Sequence, residues 1–166
     1  MACQTEKNGA RSSAGFAIED LIPAVIEAGR LTLVERDRGL DTQIKSDRSP
    51  VTAADHAAEA ILLAALARHA PGIPVVAEEE CAAGRIPEVD GEFFLVDPLD
   101  GTKEFIKGGS DFTVNVALVE NREPVTGIVY APARGQIWWG DVRAGWARRG
   151  EVHENRLVHP RAMRVR

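Results

Sequence analysis

Cysteine is almost missing from this chain: Cys3 and Cys81 are the only two in 166 residues. One falls in a polar leader and the other in a small-residue loop, so no disulfide is expected and a reducing compartment, the cytoplasm, fits. With no thiolate clusters, and with His56, His69, His153 and His159 lacking ligand spacing, zinc-type sites are excluded. Long apolar runs are missing too. The longest, Ala60 to Ala67, falls well short of the ~18 residues that a membrane span needs. Residues 1–15 are polar and small with no apolar stretch, and read as a disordered arm rather than a signal peptide. Repeats and low-complexity tracts are absent.

What is present suits one soluble domain. Apolar residues make up 45% of the chain, enough to bury one core. Net charge is −5, yet arginine accumulates after Arg134, at 143, 148, 149, 156, 161, 164 and 166, leaving residues 151–166 as a basic tail. No aromatic interleaving accompanies these arginines, so no nucleic-acid partner is expected.

The pattern runs from helix to strand. Phe16, Ile18, Leu21, Ile22, Val25, Ile26 and Leu33 recur at helical spacing, Gly39 is a stop, and Pro23 implies a late start or a kink. A second helix covers Thr52 to Ala70 and ends at Pro71-Gly72. Strands follow near Val75 and over Phe93–Asp97, Phe112–Glu120, Pro124–Tyr130, Gln136–Asp141 and Gly145–Arg149. The expected class is α+β, with a helix pair packed on a mostly antiparallel sheet.

Chemistry concentrates in Asp97-Pro98-Leu99-Asp100-Gly101-Thr102. The segment follows the apolar strand Phe93-Phe94-Leu95-Val96, and Pro98 and Gly101 are expected to end that strand in a tight turn. Asp97, the Leu99 carbonyl and Asp100 offer clustered oxygens of the kind a hard cation such as Mg²⁺ takes. The N–H groups of Gly101 and Thr102 suit a phosphate oxygen. A purely structural Asp-Pro/Asp-Gly turn is the competing reading. It leaves two further acidic features unexplained.

The first is Glu78-Glu79-Glu80, at the end of the short apolar run Pro74–Ala77 and before the small-residue segment Cys81–Gly84. Two like charges at ~4 Å repel by about 4 kcal/mol at an effective dielectric of 20, unless they are solvated or share a cation. The second is Asp55, which with Thr52 fits a helix N-cap box and could also hold a water beside a cation. An acidic chain acting on an anionic ester would itself require a cation between them.

These motifs carry a resemblance. Lys45, Val51-Thr52-Ala53-Ala54-Asp55, Glu78-Glu79, Asp97 through Phe105 and Phe112-Thr113-Val114-Asn115-Val116 resemble the lithium-sensitive, Mg²⁺-dependent phosphatase family of inositol monophosphatase and fructose-1,6-bisphosphatase. The resemblance runs from about residue 16 to about residue 150. Lys103-Glu104-Phe105 is similar to the 3′(2′),5′-bisphosphate nucleotidase branch. The resemblance implies the N-terminal half of the layered sugar-phosphatase fold, with Glu78, Asp97, the Leu99 carbonyl and Asp100 as Mg²⁺ ligands. It implies that Asp55 and Thr102 orient and deprotonate the attacking water, with Glu79 in the same shell. Gly101, Thr102 and Lys103 are implied to hold the substrate, a bisphosphate nucleotide. An inositol or other sugar phosphatase of the same family, or an inactive fragment, is the alternative.

The family also takes a metal-binding Asp from a Trp-Asp pair in a second domain. No such pair occurs here; Trp139-Gly140-Asp141 lies in the strand region and does not match it. The chain is therefore expected to stop short of that domain, leaving an apolar surface through which copies would associate. A haloacid-dehalogenase-type mechanism is out of register, since two residues rather than one separate Asp97 from Asp100.

Overall fold

The computed structural model describes residues 16–39, 42–44 and 50–164. The expected arm over 1–15, including Cys3, and Lys45 lie outside the described residues. After a 3₁₀ turn over Ile18–Leu21, helix α1 spans Ile22–Arg38. Pro23 stands in its first turn, where its missing N–H loses no intrahelical bond. The late start is thus the alternative observed. Strands β1 (Thr42–Ile44) and β2 (Pro50–Thr52) pair antiparallel and lead into α2 (Ala53–His69). Next come β3 (Val75–Ala77), the short helix α3 (Glu78–Ala82), β4 (Glu92–Asp100) and the short helix α4 (Thr102–Ile106). The remaining strands are β5 (Thr113–Glu120), β6 (Glu123–Ala131), β7 (Gln136–Asp141), β8 (Trp146–His153) and β9 (Arg156–Met163).

Strands β3 to β9 form one sheet in sequence order. Only the β3–β4 pair is parallel; every later neighbour is antiparallel, as hairpin connections require. Val114, Val116 and Leu118 alternate toward one face of β5 and join Phe94, Val96, Ile128, Tyr130 and Ile137 in the core. Val25, Ile26, Leu62 and Leu66 of the two long helices complete it, each fully buried side chain contributing about 1.5–3 kcal/mol. Close approach of α1 to β6 depends on Gly29, where a Cβ would lie 2.4 Å from Tyr130 Cε1. The α+β class and the helix pair are as expected.

The opposite sheet face is built differently. One row across it reads Leu95, Ala117, Gly127, Gly140, Ala147, Met163. Its small members leave a trough of about 950 Å³ bordered by Val129, Trp138 and Val142. Leu95, Val129 and Met163 are all more than 40% exposed. Among the described residues no helix is long and apolar enough to cross a membrane.

Three local expectations need correction. The basic tail from residue 151 is instead the β8–β9 hairpin, turning at Glu154-Asn155 with φ of 49° and 60°. Its charges and Pro160 hid it, since β9 is an edge strand and such residues are tolerated there. The strand before Asp97 does not end there but continues to Asp100. Cys81 is not a loop residue; it forms the helix α3 with Glu78-Glu79-Glu80 and Ala82.

Candidate active site

Parallel pairing positions the first two acidic side chains. Ala77 of β3 stands beside Val96 of β4, so both strands deliver their next residue, Glu78 and Asp97, to the same end of the sheet. The two carboxyl groups are hydrogen-bonded to each other. Asp97 is pushed up to about 7, by burial first and then by the charge of Glu78, the hydrogen bond to it and the charge of Asp100. The Leu99 N–H opposes this, donating to Asp97 Oδ1 at 3.1 Å.

A bulge brings Asp100 into this neighbourhood. In a regular strand residues 97 and 100 would face opposite sides. Here Asp97 pairs with Asn115 and Asp100 with Thr113, so Pro98 and Leu99 together oppose the single residue Val114 and the strand carries one extra residue. Pro98, with no N–H to lose from the ladder, fits such a position. The bulge resets the alternation, and Asp97 feels the Asp100 charge.

Gly101 then turns the chain at φ 92° into α4. A Cβ there would also stand 2.7 Å from the Asp111 carbonyl oxygen. Gly101→Ala is expected to lose about 1–3 kcal/mol from the backbone strain alone; an unchanged urea midpoint would show that the turn relaxes freely. Thr102 Oγ1 donates to the Leu99 carbonyl at 3.0 Å, which closes the turn on itself.

Beneath the turn lies a small second core of Ala54, Leu99, Phe105 and Phe112. Phe105 and Phe112 meet edge to face at 5.0 Å. Arg36, at the end of α1, stacks its guanidinium 5.4 Å from the Phe112 ring and donates to the Gly109 carbonyl at 2.8 Å. This core ties the start of α2 to the turn, because Ala54 adjoins Asp55, itself buried at 1% exposure.

The expected residues therefore divide. Glu78, Asp97 and Asp100 are brought together electrostatically, and Leu99, Gly101 and Thr102 form the adjoining turn. Glu79 is buried in α3, and Lys103 is exposed on α4. The Thr52 side chain, half of the expected capping box, lies outside what is described. Asp141 is structural: it accepts the Ala144 N–H at 2.8 Å and closes the β7–β8 turn.

Two residues were missed from sequence. Glu59, 3% exposed on α2, accepts the N–H of Glu79 at 2.8 Å and of Glu80 at 3.0 Å. It was findable as an acid four residues beyond Asp55, on the same helix face, in an otherwise apolar stretch. Asn115 lies directly across the ladder from Asp97 with its buried Oδ1 lacking a partner.

These donors fit a divalent cation. Two carboxyls sharing a hydrogen bond, with a buried amide oxygen lacking a donor in the next strand, form an oxygen set short of positive charge. Among the described residues, no three His, Cys, Asp or Glu side chains are already gathered as a metal cage.

A helix pair on a meandering sheet, with carboxyl groups gathered where two parallel strands end, defines an α+β domain with an acidic strand-end site. The chain belongs to the inositol monophosphatase family, whose family model matches residues 17–161; that family is generally metal-dependent. It is 47% identical over 102 residues to the 3′(2′),5′-bisphosphate nucleotidase CysQ of Salmonella typhimurium, covering 61% of this chain and 42% of the relative. It is 38% identical over 125 residues to the histidinol-phosphatase of Mycobacterium tuberculosis, covering 73% of this chain and 47% of that protein. Among solved structures, CysQ of Bacteroides thetaiotaomicron is 32% identical with a TM-score of 0.63, over 81% of this chain and 48% of that one. The IMPase of Thermotoga maritima is 26% identical with a TM-score of 0.69, over 82% and 54%. The chain spans less than half the length of the two curated relatives.

Proposed function

We propose that the protein carrying this chain is a Mg²⁺-dependent phosphate monoester hydrolase that removes the 3′-phosphate of 3′-phosphoadenosine 5′-phosphate. The observation that carries this reading is the Glu78–Asp97 carboxyl pair, set beside the Gly101–Thr102 turn. Glu78, Asp97, the Leu99 carbonyl and Asp100 would hold the cation, which supplies charge neutralisation to the phosphate and the leaving oxygen.

The remaining steps belong to the chain itself. Thr102 commits its hydroxyl proton to Leu99, so its oxygen lone pairs are left to accept from a water. Asp55 is the base that takes the proton as the water attacks phosphorus in line, and Glu79 supports the same water. The N–H groups of Thr102 and Lys103 come before the first backbone bonds of α4, which run from Glu104 and Phe105 to the Gly101 carbonyl; with Gly101 they hold the phosphate that is cleaved. Lys103, exposed beside that turn, would meet a second phosphate.

Lys103-Glu104-Phe105 and the likeness to the CysQ relatives favour the bisphosphate nucleotide. The longer match to a histidinol-phosphatase favours a second reading, a different small phosphate monoester. A panel of the bisphosphate nucleotide, inositol 1-phosphate, fructose 1,6-bisphosphate and histidinol phosphate decides between them. In a full-length form with Mg²⁺, the bisphosphate nucleotide is expected to have the highest kcat/KM. Preference for any other member overturns the substrate assignment, and activity without a divalent cation overturns the metal. The reading places the enzyme in the cytoplasm.

A further inference from the structure

We propose that Glu59 is a positioning residue, whose buried carboxylate holds the N–H groups of Glu79 and Glu80 and so fixes α3 with Glu78 against Asp97. The inference rests on the cation reading above and extends it to a residue outside the ligand set.

Helix α3 begins immediately at the end of β3, and Ala77 at its N-cap has no side chain with which to cap it. Its first N–H groups therefore lack intrahelical acceptors. Glu59 supplies acceptors from twenty residues away in sequence, Oε2 to Glu79 N at 2.8 Å and Oε1 to Glu80 N at 3.0 Å. Both carboxylate oxygens are used, one for each donor.

A negative charge is a costly way to make these bonds. Glu59 is 3% exposed and stands near the carboxylates of Glu79 and Glu80, so burial and like charge both oppose it. A glutamine would avoid that cost but would present one acceptor and turn an N–H₂ group toward the other N–H. The carboxylate is the side chain of this length that accepts from both. Glu59 also lies one helical turn beyond Asp55 on α2. One helix therefore carries Asp55 and sets the position of α3, linking the expected base to the expected ligand Glu78.

The test follows backbone amides of the 166-residue chain by NMR, with Mn²⁺ as a paramagnetic probe that reads weak binding. In the wild type, Mn²⁺ is expected to broaden the Glu78 and Asp97 resonances first, and the Glu79 and Glu80 amides are expected to exchange slowly with solvent. Glu59→Gln should speed exchange at one or both amides and weaken the Mn²⁺ response about tenfold, as for the loss of a group that orients a ligand. Glu59→Asp, which keeps two acceptors on a shorter arm, should fall between and covers the case where Glu59→Gln does not fold. Faster exchange with Mn²⁺ affinity unchanged within twofold reduces Glu59 to a structural cap and overturns the assignment. Unchanged exchange in both variants overturns it as well. Wild-type chain that shows no Mn²⁺ broadening at Glu78 or Asp97 removes the cation reading, and the assignment with it.

Discussion

Asp97→Asn is expected to abolish the response to Mg²⁺ and to lower turnover of an active, full-length form by several orders of magnitude. The Asp97 carboxyl is pushed up by burial and by Glu78, and it accepts the Leu99 N–H in the turn that carries Thr102. An amide there removes a negative ligand from a hard cation, which has no use for a neutral nitrogen donor. Near-wild-type turnover in Asp97→Asn would remove the metal assignment. The same substitution gives an independent reading in the metal-free chain. Asp97 is pushed from 3.8 up to about 7 in the folded state. Between those values the folded chain holds a proton that the unfolded chain has released. Stability therefore falls as pH rises through that window, and the penalty is complete above its upper end. Asp97→Asn removes the penalty, so the variant should be more stable than the wild type at pH ~8 by about 1–2 kcal/mol, after allowance for solvent screening of a half-open carboxyl. The gain should vanish toward pH ~4. Urea unfolding at the two pH values measures it, and a variant less stable at both would show that Asp97 is not strained by its neighbours.

Much of this site was legible because the signals are local. An apolar strand followed by a carboxylate occurs at Val75–Glu78 and again at Phe93–Asp97, and period and breaker residues locate both. The helix pair and most of the sheet follow from the same patterns. What escaped depended on neighbours far away in sequence. The bulge at Pro98-Leu99 exists only by reference to β5, so the strand seemed to end three residues early. Helix α3 was not legible because three adjacent glutamates disfavour an isolated helix; Glu59, from another element, supplies its missing cap. Strand β9 lacks an apolar alternation because it lies on the sheet edge, where charge and proline guard against further pairing. Register between β3 and β4, which joins Glu78 to Asp97, is likewise a property of the pair and of neither segment alone.

Purified on its own, the polypeptide of residues 1–166 is expected to bind Mg²⁺ poorly, to hydrolyse phosphate esters very slowly or not at all, and to associate with itself. The first two expectations follow from the ligand set. Among the described residues the acidic side chains offer a hydrogen-bonded pair with a third charge nearby, not a closed cage. Mg²⁺ demands near-octahedral oxygen donors and gives up water reluctantly, so a site missing one anion holds it weakly. The family resemblance assigns that further carboxylate to a second domain, and the comparisons cover less than half of each curated relative. Association follows from the sheet. The trough along Ala117, Gly127, Gly140 and Ala147 is flanked by exposed Val129, Val142 and Met163. A second copy laid on this face would cover the apolar surface. Sedimentation velocity should show a concentration-dependent dimer, and Val129→Lys on the trough wall should shift it toward monomer. A phosphate-release assay with and without Mg²⁺ completes the test: robust Mg²⁺-dependent turnover from a monomeric chain would mean that the carboxylates of α3 and β4, with Asp55, suffice for the whole reaction.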